Sequence, residues 1–212
     1  MKRGLFLSFE GGEASGKSVQ ARMLAQALIE RGHEVVLTRE PGGTPLGERI
    51  RDVLLHAQEV PLSAESQVLL FSAARAQLVR DVIRPALEAG KMVIADRYFD
   101  STLAYQGYGH GADIGAVRAV TRIAVGDLAP ERTFLLDLPI EVSIARLRQR
   151  GGERWDRFET VGREFHERVR EGYLRLAAAE PGRFVVIPGA RPENEIAADV
   201  RREVDALLGA PA

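Results

Sequence analysis

The 212-residue sequence contains no cysteine, and its formal net charge is only −1. Without cysteine, a disulfide framework and a thiolate metal site are both excluded. The balanced charge argues against a nucleic-acid-binding protein that relies on a broad basic surface. No apolar run approaches the roughly 20 residues of a membrane-spanning helix, and the first residues lack the apolar core of a signal peptide. We therefore expect a cytoplasmic protein that has neither a nucleic-acid nor a membrane partner.

Short apolar runs alternate with stretches of helical spacing along the whole chain. The apolar runs predict five strands, at 5–9, 35–37, 92–95, 134–136 and 184–187. The helical stretches predict helices at 19–31, 49–56, 63–80, 114–125, 140–150 and 193–208, with a further short helix near Pro85. This alternation predicts an α/β fold with a five-stranded parallel sheet, covered by helices on both faces. Since no linker or repeat interrupts the pattern, we expect a single domain over residues 1–212.

A glycine-rich motif follows the first predicted strand and opens the first predicted helix. Its residues are Gly11, Gly12, Glu13, Ala14, Ser15, Gly16, Lys17 and Ser18, in the pattern G-x4-G-K-S. This P-loop pattern predicts that backbone N–H groups and the helix N-terminus bind the phosphates of ATP. Lys17 is expected to contact the β- and γ-phosphates, and the Ser18 hydroxyl to coordinate Mg²⁺.

Asparagine is nearly as scarce as cysteine, and this scarcity narrows the class of P-loop protein. Asn194 is the only asparagine, and no lysine follows it. The N-K-x-D motif that a GTPase uses to bind guanine is therefore absent. A motor protein would usually need a longer chain or a visible partner surface, so a small-molecule kinase is favoured.

Four further segments carry a family resemblance: Phe9-Glu10-Gly11, the run from Arg39 to Thr44, Leu70-Phe71 through Arg75, and the run from Asp96 to Gln106. With these segments, the sequence resembles the thymidylate kinase family over nearly its whole length. The resemblance implies a P-loop fold of the nucleoside monophosphate kinase type. It also implies transfer of the γ-phosphoryl group of Mg·ATP to dTMP, giving ADP and dTDP for dTTP biosynthesis, and a homodimer.

The resemblance assigns phosphate and metal roles to three residues at the ends of the second and third predicted strands. Arg97 is expected to bridge the donor and acceptor phosphates and to be catalytic together with Lys17. Asp96 is expected to hold Mg²⁺ through a water molecule, and Arg39 to bind the phosphate of dTMP. A structural salt bridge for Asp96 and Arg97, and a surface position for Arg39, are the alternatives.

The resemblance also gives the nucleoside its contacts. Phe71 would stack on thymine and Arg75 would bind the edge of the base, and their spacing of four residues puts them on one helix face. Ser101 and Gln106 would supply further base or sugar contacts. Without the family, Phe71 would be interpreted as an ordinary core residue. Ala74 stands where the family often has an aspartate.

Two residues are expected to recognise deoxyribose. Tyr105 would occupy the space that a ribose 2′-hydroxyl needs and so exclude ribonucleotides. Glu13, the acid within the P-loop, would accept a hydrogen bond from the 3′-hydroxyl of dTMP. The alternative for Glu13 is a solvent-facing loop position.

The segment from about 146 to 160 is rich in arginine and interrupted by glycines. We interpret it as a mobile lid over ATP, although a charged helix end with a surface loop would give the same composition. Some family members carry a catalytic arginine where Ala14 stands here, so the lid is expected to supply that cation, as in the bacterial type. Our candidates are Arg148, Arg150, Arg154 and Arg157, and Arg150 and Arg154 are the two we name as catalytic.

Other functions stay open from the sequence alone. A kinase of the same fold could act on another nucleotide or on a nucleoside. A nucleotide-dependent switch would bind ATP but turn over slowly with every acceptor. A degenerate interaction domain is disfavoured, because the P-loop and the Asp96-Arg97 pair are intact.

Overall fold

A computed structural model describes residues 4–57, 59–149 and 156–209. Its centre is one parallel sheet with the strand order β2-β3-β1-β4-β5. The strands are β1 Phe6–Glu10, β2 Val35–Arg39, β3 Met92–Asp96, β4 Arg132–Asp137 and β5 Phe184–Pro188. The predicted five-stranded parallel α/β sheet is therefore confirmed.

Helices follow the strands and are joined in places by short π-helical segments. The α-helices are α1 Lys17–Glu30, α2 Pro45–Arg51, α3 Ala64–Leu78, α4 Arg84–Glu88, α5 Phe99–Thr102, α6 Ile114–Val125, α7 Ile140–Gln149, α8 Arg163–Ala179 and α9 Glu193–Leu208. The π segments are π1 Asp52–His56, π2 Val79–Ile83 and π3 Leu103–Gly109. In the described ranges, none of these helices is long and apolar enough to cross a membrane.

Alternating side chains of the strands fill two layers of core. On one face of the sheet, Leu7 and Phe9 of β1 pack against Leu24 and Leu28 of α1 and against α9. On the other face, Phe6 packs with residues of π2, α4 and β3. A neighbouring cluster joins α3, π3, α6 and α8. Helices thus cover both faces, as the buried central strands β1 and β3 require.

Several helix boundaries differ from those that the sequence predicts. The helix expected from Arg49 begins at Pro45, because the Thr44 hydroxyl accepts a hydrogen bond from Gly47 N (3.0 Å) and caps it. The helix expected near Pro85 continues directly from α3 through π2. Pro85 has no N–H to donate to the preceding turn, and the wider π2 segment lies immediately before α4.

Two helical stretches were not predicted: α5 with π3 after the third strand, and α8 before the fifth. In the first stretch, glycine and small polar residues interrupt the apolar spacing by which a helix is predicted. In α8, seven of the 17 residues are arginine or glutamate, but Phe165, Val169, Tyr173 and Leu176 are buried at spacings of four, four and three. That spacing is the signal of an amphipathic helix and would have identified α8.

A buried ion pair ties α5 to the start of β5. Arg183 donates from Nη1 and Nη2 to the two carboxylate oxygens of Asp100, at 2.7 and 2.8 Å. Arg183 Nη1 also donates to the Thr133 hydroxyl (2.8 Å) and Nε to Glu180 (2.8 Å). The Asp100 side chain is fully buried, so it depends on this arginine to compensate its charge.

We expect Arg183→Ala to lower the free energy of unfolding by about 3–5 kcal/mol, because it leaves an unpaired carboxylate in the interior. The control is Arg163→Ala, whose side chain is 55% exposed in its pairs with Glu141 and Glu167. The control should cost less than about 1 kcal/mol. Urea denaturation measures both values. Equal losses in the two variants would show that the buried pair has no special importance.

Candidate active site

The P-loop bends between the end of β1 and the start of α1 because its backbone adopts left-handed conformations. Gly11 and Gly16 have φ angles of 141° and 92°. A side chain on Gly11 would bring a Cβ within 2.6 Å of the Leu136 carbonyl oxygen. Lys17 is buried and donates from Nζ to the Gly12 carbonyl (3.2 Å).

A cleft of about 940 Å³ lies at the carboxyl ends of the strands, where a parallel α/β sheet is expected to bind ligands. Most of the candidate residues from the sequence line it: Glu13, Ala14, Ser15, Gly16, Lys17, Ser18, Arg39, Phe71, Asp96, Arg97, Ser101, Tyr105 and Gln106. Gly11, Gly12 and Arg75 do not line the cleft themselves, although the two glycines belong to the loop and Arg75 lies one turn after Phe71 on α3. The sequence motifs thus converge on one cavity.

Arg97 is at the centre of this cleft and has an unusual backbone conformation, with φ at 70°. Its Nη1 donates to the Gly11 carbonyl (3.1 Å) and to the Tyr173 hydroxyl (3.2 Å). Its Nη2 donates to Glu13 Oε1 (2.7 Å) and to the Tyr105 hydroxyl (3.0 Å). The guanidinium group is therefore fixed in place by the P-loop and two tyrosines.

Glu13 is ionised within this network. Burial alone would raise the pKa of Glu13, but the positive charges of Arg97 and Lys17 outweigh burial and lower that pKa to about 2. Arg97 and the Tyr105 hydroxyl both donate to Oε1 of Glu13. Its position on the cleft surface favours a ligand role over a solvent-facing loop position.

Glu10 and Tyr173 support the same network from below, and sequence reasoning gave neither of them a role. Glu10 is fully buried and accepts hydrogen bonds from the Tyr98 backbone N–H (2.7 Å) and the Tyr173 hydroxyl (2.8 Å). Burial is the main cause that raises the pKa of Glu10. Tyr173 belongs to α8, so overlooking that helix also hid this contact.

At the other end of the cleft, Arg75 is fully buried and paired with Glu40, with 2.6 Å between Nη2 and Oε2. Arg75 Nη2 also donates to the Thr102 hydroxyl (3.0 Å), whereas the buried Nη1 has no partner among the described residues. Phe71 lies one turn earlier on α3 and lines the cleft. An unpaired buried donor beside an aromatic wall fits recognition of a polar planar ring.

Two more candidates for this end are already hydrogen-bonded within the protein. Gln106 donates from Nε2 to Gln67 Oε1 (3.1 Å), and the Ser101 hydroxyl donates to the Tyr98 carbonyl (2.7 Å). Both residues are buried and line the cleft. The Gln106 carbonyl oxygen and the Ser101 oxygen keep accepting capacity for a ligand.

Cations line the cleft near the end of β2. Arg39 pairs with Glu48, with 3.0 Å between Nη2 and Oε2, at an exposed position. Arg51 of α2 also lines the cleft and donates to the Pro41 carbonyl (2.8 Å). Burial and the charge of Arg39 lower the pKa of Arg51. Sequence reasoning missed Arg51, since one arginine in an arginine-rich helix gives no distinguishing signal.

A divalent cation would find oxygen ligands beside the P-loop. The buried Asp96 Oδ1 has no hydrogen-bond partner among the described residues, and Asp96 and Ser18 both line the cleft. No group of three acidic or histidine side chains suited to a metal occurs in residues 4–57, 59–149 and 156–209. One carboxylate and one hydroxyl fit Mg²⁺ that is bound mainly by water and phosphate.

The lid arginines differ in their surroundings. Arg157 donates from Nε to the Leu54 carbonyl (3.0 Å) and from Nη2 to those of Ala57 (2.6 Å) and Val60 (2.9 Å). Arg148 is exposed on α7, while Arg150 and Arg154 lie outside the described residues. Arg146, which sequence reasoning did not select, lines the cleft and donates to the carbonyls of Ala14 and Gly189 (both 3.2 Å).

Comparison with known proteins identifies the family. The sequence model of the family described as "Thymidylate kinase" matches residues 9–200. A thymidylate kinase of Pseudomonas fluorescens Pf-5 is 48% identical over 97% of this chain and 95% of its own length. One of Symbiobacterium thermophilum is 49% identical over 96% of this chain and 94% of its own.

A solved structure agrees with these sequence relatives. The crystal structure of thymidylate kinase from Ehrlichia chaffeensis matches with a TM-score of 0.78 and 35% identity, over 96% of this chain and 99% of its own. Sequence and fold therefore agree over almost the full length of both chains. This chain belongs to the thymidylate kinase family.

Proposed function

We propose that this chain transfers the γ-phosphoryl group of ATP to dTMP, giving ADP and dTDP for dTTP biosynthesis. Its membership of the thymidylate kinase family carries this conclusion. The cleft supports it, because a P-loop and a second pocket with an aromatic wall open into the same cavity. Both substrates can therefore lie end to end, with their phosphates meeting near Arg97.

In this reaction the protein aligns and neutralises phosphates, and no side chain needs to become a covalent nucleophile. The P-loop residues Gly11 to Ser18 bind the phosphates of ATP through backbone N–H groups, and Lys17 contacts the γ-phosphoryl group as it transfers. Arg97 is the second catalytic cation. Since its guanidinium is already fixed by Glu13 and two tyrosines, little reorganisation is needed when charge develops.

The phosphate of dTMP is bound on the β2 side of the cleft. Arg39 is the ligand expected from the sequence, and Arg51 adds a second cation that is more deeply placed. Arg39 must exchange its contact with Glu48 for the phosphate, which is inexpensive for an exposed ion pair.

The thymine base lies against Phe71. Arg75 Nη1 is a buried donor without an acceptor among the described residues, and a pyrimidine carbonyl oxygen would supply one. Gln106 and Ser101 complete the polar contacts of the nucleoside through their remaining acceptor positions.

Glu13 and Tyr105 select deoxyribose. Among the described residues, both hydrogen bonds to the Glu13 carboxylate go to Oε1, and Oε2 would accept one from the 3′-hydroxyl. The Tyr105 ring lies under the Arg97 guanidinium, with 4.9 Å from Cζ to the ring centroid, and so has little freedom to move away from a 2′-hydroxyl.

Ser18, directly, and Asp96, through water, are the residues that would hold Mg²⁺ in this cleft. When bound with ATP, the ion would neutralise charge on the phosphate oxygens. Asp96 is suited to this position because its buried Oδ1 otherwise lacks a partner among the described residues.

The remaining parts of the proposal concern the lid and the assembly. We propose one kinase domain with a lid of about residues 146–160. Our candidates for a further catalytic cation in this lid are Arg150 and Arg154. We also infer a cytoplasmic homodimer. Leu69 on α3 and Ile123 on α6 are 59% and 86% exposed on two helices that pack together, which is the kind of apolar surface that a partner covers.

The test of the function is a coupled ADP-release assay with dTMP, dUMP, CMP, UMP, AMP and thymidine. We expect dTMP to give a higher kcat/KM than thymidine, which lacks the 5′-phosphate, and than CMP, UMP and AMP, which carry the 2′-hydroxyl that Tyr105 opposes. A preference for thymidine would contradict the phosphate roles of Arg39 and Arg97. Slow turnover with every acceptor would instead indicate a nucleotide-dependent switch.

The role of Glu13 can be separated from its contact with Arg97 by comparing two acceptors. Glu13→Gln should lower kcat/KM for dTMP about 10–100-fold more than for 2′,3′-dideoxy-TMP, since a hydrogen bond to a charged group contributes about 1.5–3 kcal/mol. Any disturbance of Arg97 affects both substrates and cancels in the comparison. An equal loss with the two acceptors would rule out contact with the 3′-hydroxyl.

The dimer surface is tested by charge substitution and sedimentation. We expect the wild-type chain to sediment as a dimer, and Ile123→Glu to shift it to the monomer, because a carboxylate would be buried unpaired in the interface. Ile29→Glu is the matched control, since Ile29 is 51% exposed on α1, on the opposite face of the sheet. A monomeric wild type, or dissociation by the control alone, would contradict this assignment.

A further inference from the structure

We propose that Arg157 is a positioning residue. It holds the segment Asp156 to Val161 against π1, and Phe158 of this segment thereby forms a wall of the nucleoside half of the cleft. The inference rests on the proposed function, because it assigns dTMP to that half. It gives Arg157 a different role from the catalytic one considered for the lid arginines.

Arg157 is held at the end of π1 by its guanidinium and by its backbone. Its backbone N–H donates to the Leu55 carbonyl (3.2 Å), and its guanidinium donates to the carbonyls of Leu54, Ala57 and Val60. The last carbonyls of a helix lack partners within that helix. Leu54 and Leu55 belong to π1, whereas Ala57 and Val60 follow it, so Arg157 ties both the helix end and the turn after it to its own segment.

The segment after Arg157 is a tight turn that transmits this placement to Phe158. The Asp156 carboxylate accepts hydrogen bonds from the backbone N–H of Phe158 (2.8 Å) and of Glu159 (3.0 Å). The Thr160 hydroxyl donates to the Arg157 carbonyl (2.9 Å). Since these bonds fix the backbone on both sides of Phe158, the anchor at Arg157 determines where its ring lies.

The ring of Phe158 is 4% exposed and lines the cleft. Its centroid lies 6.0 Å from that of Phe71 and 5.7 Å from that of Tyr105, edge to face with the latter. Phe71 is the proposed base contact and Tyr105 the proposed sugar contact. Phe158 therefore touches both walls between which the nucleoside is placed, and its loss would loosen both.

This arrangement predicts a particular pattern in the kinetics. A positioning residue of the dTMP pocket should affect the binding of dTMP and leave that of ATP unchanged. A catalytic arginine at the transferring phosphoryl group should instead lower kcat, by about 10³–10⁵ in related enzymes. The two roles are thus distinguished by whether KM or kcat changes.

The experiment uses the full-length chain with Arg157→Ala, Phe158→Leu and the double variant. Arg168→Ala is the matched control, since Arg168 also donates to a carbonyl at the end of a helical segment, that of Gly109 (3.0 Å), but does not line the cleft. Calorimetry without ATP gives the Kd of dTMP, and steady-state assays give kcat and both KM values. Thermal melting reports folding, and Phe158→Leu preserves an apolar side chain if Arg157→Ala is unstable.

We expect Arg157→Ala and Phe158→Leu each to raise the Kd and KM for dTMP about tenfold, with kcat within about threefold and the KM for ATP unchanged. Because Arg157 acts through Phe158, the Kd of dTMP for the double variant should not exceed the higher of the two single-variant values. The control should match the wild type.

Three results would overturn the inference. The first is a kcat lowered by about two orders of magnitude or more, with an unchanged Kd for dTMP. The second is an additive loss of dTMP affinity in the double variant. The third is that both single variants bind dTMP with the Kd of the wild type. Failure of the proposed function would look different. A wild type that binds dTMP without phosphorylating it would refute the reaction, while the calorimetric comparison of the variants would still decide the role of Arg157.

Discussion

The site depends on one largely buried guanidinium, that of Arg97, held between two glutamate–tyrosine pairs. Glu13 with Tyr105 lies on one side of it, and Glu10 with Tyr173 lies below. A buried arginine is costly unless its charge is compensated and its donors are satisfied. Arg97 donates four hydrogen bonds to described residues: one to a carboxylate, two to hydroxyls and one to a carbonyl. The cation is therefore held at the point where the phosphates would meet.

The parallel sheet is what brings these partners together. Phe9 of β1 lies beside Asp96 of β3, so the P-loop and the Asp96-Arg97 turn start at the same level of adjacent strands. The Arg97 backbone N–H bonds to the Phe9 carbonyl (2.9 Å), and the Tyr98 N–H bonds to Glu10 (2.7 Å). These two bonds compensate for the left-handed conformation of Arg97, which most residues avoid. Helix α8 then closes the network from a part of the chain far away in sequence.

Features that depend on neighbouring residues in the sequence could be predicted, and features that depend on contacts between distant segments could not. The strands and the P-loop are encoded by short runs and fixed spacings, so their places were predictable. The roles of Glu10, Tyr173 and Phe158 depend on contacts between segments that are distant in the sequence. A single amino-acid sequence has no local pattern that indicates such contacts. Arg75 was predicted as a base ligand, but its pairing with Glu40 was not, because both residues look like ordinary surface charges until they are buried together. Helix α8 was missed for a similar reason, because charged residues separate the apolar residues of its buried face.

The carboxylate within the P-loop, Glu13, is explained by this electrostatic arrangement. An anion in a phosphate-binding loop would repel ATP unless cations neutralised it, and Arg97 and Lys17 keep its pKa at about 2, so it remains ionised at neutral pH. The same carboxylate orients Arg97 through Oε1, and in the proposed function its Oε2 would accept a hydrogen bond from the substrate hydroxyl. A neutral residue there would not compensate the charge of Arg97, which would then be held only by the Gly11 carbonyl and the two tyrosine hydroxyls among the described residues. In the proposed function, an acid at this position would couple recognition of the acceptor sugar to the position of the central cation.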